Sequence, residues 1–200
     1  MSSMIVHDIR LEGSTPLNYN YVMRVSEHHS IDMVIATVAM YGAHQPLDVL
    51  HIFCHGYEAD WDLRDQLCTG VEVGGFGLEL CKEGLSLANV FRTDRWDRKV
   101  KKIVVFSCAA AGTGVGNDGT PADGRQFMGE IARRSGAEVI GSSATQYFNR
   151  VRAAYSGHRT VDNTIDFGAW EPPVFSFTRA VPNGRPINPG NYDMASPSRM

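Results

Sequence analysis

Leu47–Cys54 (LDVLHIFC) and Lys101–Ser107 (KKIVVFS) decide how this chain folds. Each is a nearly continuous apolar run of strand length, without the polar alternation of a strand that keeps one face in water. Such runs are the habit of parallel strands covered on both faces. Ala137–Ser142 (AEVIGS) is a third. Helical patterns lie between them. Ser30 stands at an N-cap before a helix over Ile31–Ala43, Asp32 in its first turn suits the helix dipole, and Gln45–Pro46 ends it. Between the first two runs the sequence predicts a short hairpin over Gly77–Leu85 and a helix over Ser86–Phe91. Between the second and third it predicts a Gly-rich loop over Ala111–Pro121 and a helix over Ala122–Ser135. In that helix Phe127, Ile131 and Met128 are read as inward-facing, Arg133–Arg134 sit at the C-terminal end, and Gly136 is the C′ glycine. The alternation predicts an α/β layered fold: a mostly parallel central sheet flanked by helices, joined by right-handed crossovers.

Working outward, Met4–Leu11 reads as an edge strand and Asn20–Val25 as another. Val174–Arg179 (VFSFTR) alternates and reads as a strand of a terminal β-hairpin, after Asp166–Trp170. Residues 1–180 are expected to form one domain, and 181–200 a loop-like, poorly ordered tail.

Composition excludes several classes. The 200 residues are 43% hydrophobic and 20% charged, so one sizeable core is expected without staples. Nineteen basic and twenty-two acidic residues give a net charge of −3, which speaks against a nucleic-acid partner. No apolar run approaches the roughly 18 residues of a membrane span, and charges interrupt the N-terminal apolar stretch, so no secretory signal is read. The expectation is a cytoplasmic protein, with a signal-less exported effector consistent with the same features. Cys54, Cys68, Cys81 and Cys108 are too sparse for a disulfide scaffold and read as thiols. Their spacings of 14, 13 and 27 contain no C-x2-C pair, so no metal is expected. Gly114, Gly116 and Gly119 spell G-x-G-x-x-G, but the motif begins seven residues past Ser107 rather than directly after its strand. A dinucleotide site is therefore not supported, and no cofactor is expected.

Functional groups in open α/β sheets collect beyond the carboxyl ends of the strands. The first apolar run finishes in Cys54-His55-Gly56 and the second in Ser107-Cys108-Ala109-Ala110. On neighbouring strands these ends bring an imidazole within reach of a thiol, which is what a cysteine nucleophile needs. The N–H groups of Gly56 and Cys108 would form an oxyanion hole. A lone His at a strand end is more often a structural hydrogen-bonder than a base, and a lone Cys more often a small core residue. The joint placement of the two is what favours catalysis. Cys54 should point away from His55 and pack, Cys68 and Cys81 read as incidental, and His28-His29 as surface residues.

An apolar strand ending in His-Gly (HIFCHG), then about fifty residues, then an apolar strand ending in Cys (IVVFSCAA), resembles the caspase-like, clan CD cysteine peptidases. His55 and Cys108 lie 53 positions apart. The Gly-rich loop, the helix GRQFMGEIARR, the strand ending in Ser142-Ser143 and the Trp-containing terminal hairpin are similar to bacterial toxin self-processing and related bacterial caspase-fold domains. The resemblance covers about Leu47–Arg179. It implies a caspase-like fold, with Cys108 as nucleophile and His55 as general acid–base in a dyad. A polypeptide substrate would be cleaved through a thioester acyl-enzyme, in self-processing or as an effector. It also implies that Ser142, Ser143 and Ala144 wall the substrate pocket. No basic cluster matches the phosphate-ligand site of the toxin domains. Asp60, Asp62 and Asp65 suit a basic substrate residue and Arg92, Arg95 and Arg98 an acidic one, so both preferences stand. A catalytically silent caspase-like binding module is the alternative, and an amidase or acyltransferase using the same dyad is a third. A caspase-type dimer would need an exposed edge strand near the C-terminus, for which Val174–Arg179 is the candidate.

Overall fold

A computed structural model describes residues 2–57, 77–113, 123–155 and 159–188. Asp60, Asp62, Asp65, Cys68, Gly114, Gly116 and Gly119 lie outside the described residues. So do most of the predicted loop over 111–121 and the tail beyond residue 188.

The three apolar runs form neighbouring parallel strands. They are β3 (Val49–Phe53), β6 (Lys102–Phe106) and β7 (Glu138–Ser142), within a seven-stranded sheet. β1 (Ser3–Asp8) and β2 (Tyr21–Val25) extend the parallel part, and β10 (Val174–Thr178) and β11 (Val181–Ile187) add an antiparallel pair beyond β7. The order is β11-β10-β7-β6-β3-β1-β2. The fold is thus α/β, with a mostly parallel central sheet.

Helix α1 (Ile31–Tyr41) starts where predicted: the Ser30 side chain accepts from Met33 N–H. α2 (Gly124–Ser135) is capped by Asp123, whose carboxylate accepts from the Arg125 and Gln126 N–H groups, and it ends at Gly136 in the left-handed conformation. Both helices bury their apolar faces on one side of the sheet. Ile31, Val34, Ile35, Val38, Phe127, Met128 and Ile131 join Val6, Leu50, Ile52, Ile103, Val105 and Val139 in one cluster. The opposite face carries Ile5, Val49, Phe53, Val104, Phe106 and Ile140. Leu11, Ile165, Phe167 and Trp170 cover it. Both faces are buried, as the continuous runs require. Among the described residues, however, helices flank only one of them. The other is closed by an aromatic layer in which Phe106 stacks on Phe167 and Trp170, with centroids at 4.9 and 4.4 Å.

Four expectations are corrected. β1 is interior, paired with both β2 and β3, and its polar His7 and Asp8 are fully buried with partners. Of these two, β2 is the edge strand. The helix predicted over Ser86–Phe91 is instead a turn followed by a 3-10 helix at Val90–Trp96. The Asn89 side chain accepts from Ser86 N–H and donates to Gly84 O, and such local side-chain bonds compete with helical ones. Gly77–Leu85 closes on itself only at Leu78 and Leu85. Its strand, β5 (Gly77–Glu79), pairs antiparallel with β4 (His55–Tyr57). Finally, the terminal hairpin is β10 with β11, in a stretch read as tail. Pro182 and Pro186 obscured β11, but proline is tolerated on an edge strand, and β11 is that edge. Val174–Arg179 is therefore interior and cannot be the exposed dimer edge. A second hairpin, β8 (Asn149–Tyr155) with β9 (Arg159–Asp166), lies outside the main sheet. Among the described residues, no helix is long and apolar enough to cross a membrane.

Candidate functional site

Register puts His55 and Cys108 at the same level of the same sheet edge. Phe53 of β3 is paired with Phe106 of β6, and each candidate residue lies two positions beyond its member of that pair. The two segments then touch through their backbones. An ideal Cβ on Gly56 would lie 1.9 Å from Cys108 O and 2.8 Å from Ser107 Oγ, so only glycine permits this approach.

The ladder leaves the Gly56 amide for other use. Gly56 is opposite Leu78, but Leu78 exchanges both of its backbone bonds with Leu85, at 2.8 and 2.9 Å. Gly56 and Leu78 therefore form a non-hydrogen-bonded pair, and the Gly56 N–H points away from β5. Among the described residues, the Cys108 N–H also has no partner. The turn after Cys108 is fixed by its neighbours: Ala109 N–H donates to Ala144 O at 3.0 Å and Ala111 N–H to Ser142 O at 2.9 Å. Ala109 has φ +48°, a left-handed conformation disfavoured for a residue with a side chain, and these bonds hold it there.

The Nε2 of His55 lies 3.2 Å from Arg10 O. A carbonyl only accepts, so Nε2 carries the proton and Nδ1 is the basic nitrogen. The half-buried Cys108 thiol donates to Gln146 O at 3.7 Å. Gln146 is itself buried and clamped, its amide donating to Ala144 O and Glu171 O and accepting from Glu171 N–H. Tyr147, the next residue, is 71% exposed.

The predicted pocket walls separate on inspection. Ser142 is fully buried. Its hydroxyl donates to Glu171 O at 2.7 Å, lies 3.2 Å from Pro173 O and accepts from Ala144 N–H. It braces the loop and presents no hydroxyl to a pocket. Ser143 and Ala144 are half-buried beside the Cys108 turn. Cys54 packs in the core as expected, and burial pushes its thiol far up. Cys81 is not incidental: it is fully buried at φ +62°, and its N–H donates to Asp8 Oδ2 at 2.8 Å. Burial, with Asp8 and Glu83 nearby, pushes its thiol up to about 12. Of the arginines weighed for substrate selection, Arg92 pairs with Asp32. Arg98 lies beside Val100, which bridges Leu47 at the opposite end of the sheet from Cys108.

The site residues missed from sequence are Asp8, Arg10, Glu79 and Gln146. A signal for the first two was present in VHDIR, where a carboxylate inside an apolar strand demands a partner, and Arg10 stands two residues on. No protein-family model matches the chain, and no curated protein matches it.

Proposed function

We propose that this protein is a cysteine endopeptidase of caspase-like layout, with Cys108 as nucleophile and His55 as general acid–base. The observation that carries this reading is the packing of Gly56 on the Cys108 carbonyl, with an imidazole and a half-exposed thiol at one level of one sheet edge. Catalysis follows from the groups present. His55 Nδ1 takes the thiol proton and the Cys108 sulfur attacks the scissile carbonyl carbon. The oxyanion is held by the Gly56 and Cys108 N–H groups. Collapse breaks the C–N bond as His55 protonates the departing amine, leaving a thioester. Water, deprotonated by His55, then attacks the thioester and restores the thiol with release of the acid. A substrate would lie against Ser143, Ala144 and Tyr147.

The Cys108 thiol donating to Gln146 O favours a second reading, a caspase-like protein-binding module in which the thiol is structural. Site-resolved alkylation separates the two. Wild type and His55→Ala are treated with limiting iodoacetamide between about pH 5 and 9, and modified cysteines are mapped by mass spectrometry. For a peptidase, Cys108 reacts first near neutral pH and loses that advantage without His55; peptide libraries then define the substrate. Equal reactivity in both proteins, rising only toward an ordinary thiol pKa of about 8.5, selects the binding module.

A further inference from the structure

Asp8 has a side chain with no solvent exposure, at the end of β1. Burying a carboxylate is costly unless it is paired and hydrogen-bonded, and this one is fully engaged. Oδ1 accepts from Arg10 Nε at 2.8 Å and from Arg10 N–H at 3.2 Å. Oδ2 accepts from Arg10 Nη2 at 2.7 Å and from Cys81 N–H at 2.8 Å. The same guanidinium reaches β5 and the turn after it. Nη1 pairs with Glu79 Oε1 at 2.9 Å, and Nη2 donates to Glu79 O at 3.2 Å and Cys81 O at 2.8 Å. Glu79 stands opposite His55 in the β4–β5 register.

These contacts close a ring. The Arg10 carbonyl accepts from His55, the His55 strand pairs with β5, and β5 is tied back to Arg10 by its side chain. The turn carrying that carbonyl is fixed from within as well. Leu11 N–H donates to Asp8 O at 3.0 Å, and His7 Nε2 donates to Leu11 O at 2.8 Å. Sealing a strand end requires no buried ion pair, whereas holding one carbonyl at a fixed point beside an imidazole does benefit from one. Outer partners that set a histidine's tautomer act in this way.

We propose that Asp8 and Arg10 are positioning residues for His55, locking the Arg10 carbonyl so that the imidazole keeps Nε2 protonated and offers Nδ1 as base. The role assigned to Nδ1 rests on the peptidase reading of the site. Neither side chain touches substrate in this scheme; both act through the turn.

The test uses the full chain with ¹⁵N-labelled histidine. The neutral tautomer of His55 is read by NMR, and the rate of Cys108 alkylation by iodoacetamide is measured against pH. Wild type is compared with Arg10→Ala, Arg10→Lys, Asp8→Asn and His55→Ala. In wild type His55 is expected as the Nε2–H tautomer. Arg10→Ala and Asp8→Asn lose that preference and alkylate about 10- to 100-fold more slowly near neutral pH. Above about pH 9.5, where a thiol ionises unaided, they stay within about twofold of wild type, which mere structural damage would not preserve. Arg10→Lys falls between, because an ammonium cannot span two carboxylates and two carbonyls in the planar fork that arginine offers.

Wild-type rates and tautomer in Arg10→Ala and Asp8→Asn, with His55→Ala still slow, overturn the positioning role and leave the dyad standing. Wild-type alkylation in His55→Ala instead overturns the peptidase reading. The tautomer then decides the inference alone: loss of Nε2–H in Arg10→Ala sustains the lock, and an unchanged tautomer removes it. If circular dichroism shows Arg10→Ala and Asp8→Asn unfolded, Arg10→Lys carries the same two outcomes.

Discussion

Gly56 and Cys108 meet backbone to backbone, so closely that a Cβ on Gly56 would stand 1.9 Å from the Cys108 carbonyl oxygen. Neither segment can yield easily, because β3 and β6 are paired from Leu50 and Ile103 to Phe53 and Phe106 and the Cys108 turn is bonded to the β7 end. Gly56→Ala is therefore expected to cost about 1–3 kcal/mol of stability, the range for overpacking a close contact. It should also displace Cys108 from His55. Urea denaturation measures the first effect and Cys108 alkylation near neutral pH the second. A variant with wild-type stability and reactivity would refute the contact.

The cysteines at the two strand ends should respond oppositely to one isosteric change. Cys54 is 1% exposed in the core beneath the helices, whereas Cys108 is half-exposed. Cys54→Ser buries a hydroxyl in the core, with the Ser107 hydroxyl as a polar neighbour, and should cost about 1–3 kcal/mol. Cys108→Ser should stay within about 0.5 kcal/mol of wild type in stability and lose peptide cleavage entirely. Thermal denaturation beside a fluorogenic peptide assay checks both. If Cys108→Ser destabilises as much as Cys54→Ser, Cys108 is a packing residue.

What the sequence made legible follows from where one kind of signal dominates. Val49–Phe53 and Lys102–Phe106 could be read because continuous apolar character has few other uses at that length, and His55 and Cys108 follow directly from where those runs stop. β1 was misread because Asp8 is stabilised by Arg10 and by Cys81, 73 residues away, a compensation that no local pattern displays. β11 was missed because proline and glycine mark loops locally, and only its edge position in the sheet makes them harmless. Gln146 was missed because its partners, Ala144 and Glu171, are assembled by the loop that it holds together.

Ser142 provides a test of that loop. Its hydroxyl bonds tie the β7 end to Glu171 and Pro173, and the residue is wholly buried. Ser142→Ala should lower stability by about 1–2 kcal/mol, the cost of leaving buried partners unsatisfied. Substrate preference should be unchanged, in contrast with Tyr147→Ala, which removes an exposed side chain next to Gln146 and should alter preference without altering stability. Denaturation curves and peptide-library profiles of the two variants provide the comparison. A shifted preference in Ser142→Ala alone would return Ser142 to the pocket wall.

Acid should destabilise the fold through two buried histidines, His51 and His7. His51 is buried under the aromatic layer, edge-on to Tyr19 at 5.2 Å, with Nδ1 unpartnered. Burial, aided by Lys102, lowers its pKa from 6.5 to about 4. His7, bonded to Thr15 and Leu11, is lowered mainly by burial as well. The sign follows from which state binds the proton first. As pH falls through about 6.5 the unfolded chain protonates while the folded one does not. Stability is thus full above that value and declines until the folded imidazole titrates near 4. For His51 the loss amounts to about 3 kcal/mol. Carboxylates such as Glu130, held low first by its hydrogen bond from Arg133, lose their contributions in the same direction, so the His51 part must be taken as a difference. Urea unfolding of wild type and His51→Leu at pH values from about 7 to 4 should show the variant losing less stability over that range, with the shallower slope. Parallel slopes would mean that His51 is already solvated in the folded protein and does not carry the acid sensitivity.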